Sequence, residues 1–286
     1  MKPLDILTGL LVPLIWGMGF TAAKPVVADF PPILLMALRF GVTALALVWF
    51  VRIPRGRLGM IALVALLGSA IQYGLTFYGL RLLDASSAVL IVQLEVPLAT
   101  LLAAAFLGER LGLRKVVGMV VAFVGVVVIA GEPRPGNDLT GVWLVLAGAL
   151  AWAAGQVIAR MVGAVGGFSM IAWIAVFAAP QLMVASLLIE SDHLGHIARA
   201  DLQVWATVIY LGLVMTAFGY GLWYRLIGLY PVGQVAPFLL LLPVFSVIAS
   251  VIFLDEALTW WLALGGLIVV AGLAIVMIER PDRRSG

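Results

Sequence analysis

Two ionisable side chains, Arg39 and Glu95, lie deep within long apolar stretches of this sequence. A charge at the centre of a bilayer costs about 3 kcal/mol even by the lower estimates, so each side chain needs a partner. At 1.5 Å per residue, Arg39 lies about 11 Å and Glu95 about 15 Å from the start of its stretch, a difference that an arginine can bridge. The spacing predicts a buried ion pair between them.

Glu95 has a second interpretation, as a proton-coupling carboxylate. Burial disfavours the charged form of a carboxylate, whereas a neighbouring arginine favours it. Access to water could then switch Glu95 between its two protonation states, which is how intramembrane carboxylates act in many transporters.

A second group of side chains is suited to a planar apolar molecule with polar ends. Trp16 and Trp152 are each about 18 Å into their stretches, near the bilayer midplane, and the residues four positions on share their faces. Polar residues also recur along one face of the third stretch, and such stripes usually face protein or a cavity. Helix packing is the competing interpretation for each residue. The candidate substrate contacts are Trp16, Phe20, Gln72, Tyr73, Thr76, Gln93, Trp152, Gln156, Tyr220 and Phe238.

Three prolines, Pro97, Pro237 and Pro243, are candidate hinges. A proline inside a helix removes one backbone hydrogen bond and frees a carbonyl group, which water, substrate or a hydroxyl can satisfy. Interrupted helices suit a protein that opens alternately on two sides. A static kink in a packed bundle explains any single proline equally well.

The elements that must position these residues are ten apolar stretches, each long enough to cross a bilayer. Of 286 residues, 64% are hydrophobic and 11% are charged, too little polar surface to cover a soluble globule. We therefore predict an all-α integral membrane protein. Its spans, numbered 1 to 10, cover roughly residues 4–24, 31–51, 58–80, 85–107, 113–131, 139–160, 168–189, 202–224, 230–254 and 259–278.

The same five-span unit occurs twice. Leu107-Gly108-Glu109 matches Leu254-Asp255-Glu256, and two glycines follow each at equal spacing, Gly118 and Gly125 in the first unit and Gly265 and Gly272 in the second. An odd number of spans inverts the second copy, an arrangement typical of secondary carriers. The glycines predict close helix packing, and we interpret Glu109 and Glu256 as scaffold residues that meet exposed helix amides. The expected organisation is repeat 1–131, connector 132–138, repeat 139–280 and a cytoplasmic tail 281–286.

Basic residues indicate the orientation. The loop after span 2 carries three arginines, whereas the corresponding loop after span 7 carries three carboxylates and one arginine. By the positive-inside rule, these loops lie in opposite compartments, as inversion requires, and both termini are cytoplasmic.

Several functions are disfavoured. The loops are short and contain no G-x-x-x-x-G-K-[ST] sequence, which argues against ATP-driven pumping. The chain has no cysteine, no H-E-x-x-H and no evident nucleophile with its base, which argues against a membrane enzyme and against a metal site. We expect no cofactor, and orientation explains the basic residues better than nucleic-acid binding does.

The segment Phe106-Leu-Gly-Glu-Arg-Leu-Gly-Leu-Arg-Lys-Val-Val-Gly, followed by a helix bearing Gly125, resembles the EamA-type branch of the drug/metabolite transporter superfamily. Phe253-Leu-Asp-Glu-Ala-Leu is similar to the second copy in that branch. The resemblance covers nearly the whole chain and is strongest to bacterial exporters of amino acids, particularly aromatic ones. It implies a ten-helix inverted-repeat exporter in the bacterial inner membrane, with alternating access around a central cavity.

Export of aromatic or large neutral amino acids, down their own gradient or coupled to protons, is the expected function. A zwitterion needs few polar partners, which Gln72, Gln93 and Gln156 with Arg39 and Glu95 could supply. Sugar-phosphate exchange is the nearest rival but calls for several basic groups, and only Arg39 is deep. Drug efflux stays open, because aromatic walls suit cations and Glu95 could be their counter-charge. The expected partners are a small-molecule substrate, protons and the bilayer; the sequence leaves the oligomeric state open.

Overall fold

The computed structural model describes residues 1–108, 112–132, 138–163, 165–230 and 235–277, and all regular secondary structure within these ranges is helical. The predicted ten-span, all-α membrane fold is confirmed. The tail 281–286, most of the connector, Glu109 and the side chain of Pro237 lie outside what is described. Among the described residues, nine helices are long and apolar enough to cross a membrane, and we number them as spans 1–8 and 10: Pro3–Asp29, Pro32–Phe50, Leu58–Leu82, Ala85–Leu107, Leu113–Ala130, Leu139–Val162, Gly167–Ile189, Leu202–Leu229 and Trp260–Met277. Span 9 is the shorter apolar helix Phe238–Leu254.

The spans pack in a pattern that repeats when the two units are exchanged. Span 1 of the first unit packs against spans 8 and 9 of the second, and span 6 of the second packs against spans 3 and 4 of the first. Spans 2 and 7 pack on each other, as do spans 5 and 10. Two inverted five-helix units related by a pseudo-twofold axis in the membrane plane give this arrangement.

Spans 5 and 10 approach so closely that their backbones touch. A Cβ atom added at Gly125 would lie 2.7 Å from the carbonyl oxygen of Gly265, and one added at Gly118 would lie 2.8 Å from the carbonyl oxygen of Gly272. Only glycine fits at such distances, and the gain is extensive van der Waals contact between helices that have no hydrophobic effect to join them in lipid. The predicted close packing at these glycines is confirmed.

Four spans are irregular at corresponding depths. Spans 3 and 8 contain the π-helical segments Leu66–Ile71 and Tyr210–Phe218, a rare geometry often found at functional sites. Span 4 is interrupted between Val92 and Glu95, and span 9 passes through the 3₁₀ turn Ala236–Leu240 before its α-helix begins. The irregular backbone therefore recurs in both units.

Proline explains both interruptions. Pro97 is the third residue of the helix that follows the break in span 4, and Pro243 holds the same place in span 9. A proline has no N–H for the carbonyl group four residues earlier, which here belongs to Gln93 or to Leu239. In span 4 the carbonyl oxygen of Gln93 instead accepts a hydrogen bond from the N–H of Val96 at 3.3 Å. Hinge motion at these prolines stays a prediction.

The glycine contact can be tested by Gly125→Ala. The added methyl group must push two helix backbones apart, and overpacking of this kind costs about 1–3 kcal/mol. We expect a lower midpoint of thermal unfolding for the purified protein in detergent. Gly41→Ala is the matched control, because Gly41 lies inside a helix with open space around it. Alanine at that position should leave the midpoint unchanged or raise it; equal losses in both variants would contradict the packing role of Gly125.

Candidate functional site

A cavity lies at the centre of the bundle and consists of two adjoining lobes. Their volumes are about 360 Å³ and about 170 Å³, with Arg39 lining the larger lobe and Glu95 the smaller. Both lobes are lined by Trp16, Tyr73, Trp152, Tyr220 and Leu239. The shared lining comes from both units, so a molecule bound here contacts both.

Aromatic rings form the shared wall. The rings of Trp16 and Tyr220 have centroids 4.7 Å apart, and the indole N–H of Trp16 donates to the carbonyl oxygen of Met215 at 3.0 Å. This bond fixes the indole against the π-helical segment of span 8. Phe20 stacks on Phe77, with centroids 5.8 Å apart, at the edge of the smaller lobe. The structure thus brings Trp16, Phe20, Tyr73, Trp152 and Tyr220 to one cavity, and their contact with substrate stays a prediction.

Amide side chains divide between the lobes. Gln72 and Gln93 line the smaller lobe with Glu95, whereas Gln156 lines the larger lobe with Ser69 and Thr216. The Nε2 atom of Gln72 donates to Glu95 Oε1 at 3.2 Å, and the Oε1 atom of Gln72 is buried without a hydrogen-bond partner. Gln93 lines its lobe from the interruption of span 4.

Arg39 is buried and does not pair with Glu95, so the predicted ion pair is wrong. Its Nε and Nη2 atoms donate to the hydroxyl oxygen of Thr216 at 3.3 Å and 3.0 Å, and Nη2 also donates to the hydroxyl of Tyr73 at 3.4 Å. The guanidinium carbon lies 4.4 Å from the centroid of the Tyr73 ring. The depths of the two charges along spans 2 and 4 are similar, which is why the sequence predicts a pair. The side chains do not meet, because Arg39 extends toward spans 3 and 8.

Two predicted contacts lie elsewhere. Thr76 is fully buried where spans 3 and 6 meet, with its hydroxyl against Gly148, and Phe238 packs its ring against Gly9. Neither lines the cavity. Thr76 shares a helix face with Gln72, but it lies one turn further along, where span 6 closes over that face. Thr216, which the candidate set omits, lines the larger lobe instead. Its position four residues before Tyr220, on the same helix face, is the sequence signal that could have found it.

Comparison with known proteins decides the family. Residues 4–131 and residues 139–278 each match the profile of the EamA-like transporter family. The chain belongs to this family. The resemblance expected from the two glycine-bearing motifs is thereby confirmed.

Relatives of this EamA-family chain match along most of its length. An Escherichia coli K12 protein named "Probable amino-acid metabolite efflux pump" is 30% identical over 280 residues, which are 95% of this chain and 94% of that protein. A Streptantibioticus cattleyicolor protein named "Probable terminal-alkyne amino-acid exporter" is 30% identical over 241 residues, which are 82% of this chain and 78% of that protein. A crystal structure 22% identical in sequence aligns with a TM-score of 0.66 over 96% of this chain and 98% of its own, a likeness of fold alone.

In this EamA-family protein the larger lobe of the cavity lies nearer one end of the bundle. Val64, Ala159, Met170 and Trp223 line the larger lobe and belong to the halves of their spans that face the terminal side. At the opposite end, where span 1 ends and span 2 begins, apolar side chains are tightly packed: Val26, Val27, Phe30, Ile33, Leu34, Leu35 and Met36 are each at most 5% exposed. Packed apolar side chains therefore fill this part of the opposite end, which we call the sealed end.

Two carboxylates complete the seal. Glu190, at the end of span 7, accepts hydrogen bonds from the backbone N–H groups of Ile33 and Leu34 at 2.9 Å and 3.0 Å. The first N–H groups of a helix have no partner within the helix and carry partial positive charge, so a carboxylate satisfies them well. Glu190 therefore joins the second unit to the start of span 2.

Glu256 has the equivalent role at span 4. Its carboxylate accepts from the N–H groups of Ala85 and Ser86 at 2.6 Å and 3.0 Å, and from the Ser86 hydroxyl. The predicted scaffold role of Glu256 is confirmed, although the amides belong to span 4 rather than to the helix that follows. Within the first unit, Lys24 donates to the carbonyl oxygens of Leu80 and Leu83 at 2.9 Å and 2.5 Å, and so ties span 1 to the end of span 3.

Proposed function

We propose that this EamA-family protein is a secondary transporter that exports amino acids, aromatic or large neutral ones, by alternating access. The observation that carries the proposal is the central cavity, whose aromatic wall is contributed by both inverted units. A cavity of about 360 Å³ is within the range of small-molecule sites, and its apolar wall with a few polar groups is the usual composition of such sites. The names of the relatives support amino-acid-related substrates.

The scaffold supports the transport cycle. Inverted units that rock against each other expose a central site to one side and then to the other. Interruptions in spans 4 and 9 border the cavity through Gln93, Leu239 and Leu240, so backbone changes there would alter the site directly. The packed end opposite the termini would open as the terminal end closes.

The residues that line the cavity argue against sugar-phosphate exchange, the nearest alternative function. Recognition of a phosphate ester normally takes several basic groups, and Arg39 is the one basic side chain among the described residues that line the two lobes. Drug efflux would use the aromatic wall with Glu95 as counter-charge, and competition by an organic cation such as tetraphenylphosphonium against labelled phenylalanine would test it.

The proposed orientation places both termini in the cytoplasm of a bacterium and the sealed end at the periplasm. Because the chain has no cysteine, Arg55→Cys and Asp192→Cys each introduce a single reporter. A membrane-impermeant maleimide applied to intact spheroplasts should label the cysteine at 192 and not that at 55. Labelling of both from one side would contradict the inverted topology.

Substrate class is tested by counterflow of labelled phenylalanine in proteoliposomes. The wild-type protein should accumulate label against unlabelled phenylalanine inside, and Trp152→Ala should lower the rate at subsaturating phenylalanine about tenfold, because it removes an aromatic contact worth roughly 0.5–1.5 kcal/mol together with buried area. Trp143→Ala is the control: Trp143 is on the same span but 69% exposed on the outer surface. Equal rates in both variants would remove Trp152 from the site, and no counterflow with any amino acid by the wild type would contradict the proposal.

Proton coupling is tested by Glu95→Gln. Glutamine keeps the shape and can keep the contact with Gln72, but it cannot carry a proton across the membrane. Phenylalanine transport by the wild type should respond to an imposed pH difference, and the response should vanish in the variant while counterflow at equal pH persists. Asp192→Asn, which removes a carboxylate from an exposed loop, should behave as wild type. A pH response retained by Glu95→Gln would exclude the coupling role.

A further inference from the structure

Arg39 carries a charge that its surroundings do not balance. It is 1% exposed, lies within a membrane span and lines the larger lobe of the cavity. Through the parts of the chain that the structure describes, its contacts are hydroxyl groups, one sulfur atom and two aromatic rings, with no carboxylate among them. Buried arginines are normally paired with an anion, because an unpaired charge in a low-dielectric interior is expensive.

The hydrogen-bond inventory leads to the same conclusion. A guanidinium offers five N–H donors in a planar fork. Here Nε and Nη2 share the single hydroxyl oxygen of Thr216, Nη2 has a long contact of 3.4 Å to the Tyr73 hydroxyl, and Nη1 meets only the sulfur of Met36 at 3.8 Å. Neutral hydroxyl and sulfur acceptors leave the fork underused for a group of this strength.

We infer that Arg39 is the group that binds the carboxylate of the transported molecule. A carboxylate supplies one negative charge and two oxygens, which match the guanidinium fork in a bidentate contact. A single arginine fits a monovalent carboxylate better than a phosphate, and the larger lobe places Trp16 and Tyr220 beside the same space for the remainder of the molecule. This inference deepens the proposed function and rests on it.

The neighbours of Arg39 determine how the carboxylate reaches it. Tyr73 lies over the guanidinium, and its hydroxyl makes the longest of the oxygen contacts, so it is the contact most readily exchanged for a carboxylate oxygen. Thr216 makes the shorter contacts and holds the guanidinium from span 8. Binding at Arg39 therefore acts on spans 2, 3 and 8 together, which belong to both units.

The test is competition against labelled phenylalanine in the counterflow assay, using analogues that differ in the carboxyl group. Phenethylamine lacks the carboxylate, and phenylalaninamide replaces it with a neutral amide. Each should compete about 10- to 100-fold more weakly than phenylalanine with the wild-type protein, the range expected for loss of a charge-assisted hydrogen bond. This series needs no variant, so it stands even where a substitution prevents folding.

Variants then assign the effect to Arg39. In Arg39→Gln the affinity for phenylalanine should fall to that for phenethylamine, so that the protein no longer discriminates between the two compounds. Arg39→Lys should keep part of this discrimination. Thr216→Val, which removes the hydroxyl that positions the guanidinium, should reduce the discrimination without abolishing it. Thr43→Val is the control: the Thr43 hydroxyl donates to the carbonyl oxygens of Arg39 and Gly212 at 3.1 Å and 2.9 Å in the same helix interface, outside the cavity. Its discrimination should equal that of the wild type.

The outcomes separate the two proposals. Wild-type exchange of phenylalanine with equally strong competition by phenethylamine overturns the role of Arg39 and leaves amino-acid transport intact. Unchanged discrimination in a folded Arg39→Gln protein does the same. Absence of exchange with every amino acid contradicts the proposed function itself.

Discussion

The absence of water from the bilayer core constrains everything else in this structure. Each backbone N–H and C=O group within a span needs a partner inside the protein, which permits helices and excludes exposed irregular chain. The irregular segments of spans 3, 4, 8 and 9 are therefore informative, because each of them reaches the lining of the cavity. The lining residues are Gly68, Gln93, Thr216 and Leu239, one from each span. Backbone that departs from the α-helix is placed where a ligand or water can meet it.

A nearly symmetric scaffold carries asymmetric chemistry. The interruptions, π-helical segments and glycine contacts occur in both units, as a rocking mechanism requires. The two deep charges do not: Arg39 and Glu95 are both in the first unit, and they occupy different lobes. Under the proposed alternating access, the symmetry would let the protein open to either side, and the proposed selectivity would come from residues that one unit has and the other lacks.

Much of the fold could be predicted from the sequence because hydropathy and glycine spacing report directly on span length and helix contact. The aromatic wall was also accessible, since Trp16 and Trp152 recur at matched depths. Periodicity gives the face and depth of a residue but not the neighbour that covers it. For that reason depth alone predicts a pair between Arg39 and Glu95, and face alone predicts Thr76 in the cavity although span 6 covers it. The π-helical segments alter the face of every later residue in their spans and leave no mark in composition.

Glu190 and Glu256 give the sealed end a particular energetic character. Both belong to the second unit, both hold the first amides of spans in the first unit, and both lie where the spans reach the aqueous boundary. When these contacts separate, water can take the place of each partner at once, so the net loss stays near the usual value for a hydrogen bond to a charged group, about 1.5–3 kcal/mol. A latch built at the midplane would have no such replacement. Because the two glutamates lie at the ends of the spans, the proposed opening of this end would leave no buried polar group without a hydrogen-bond partner.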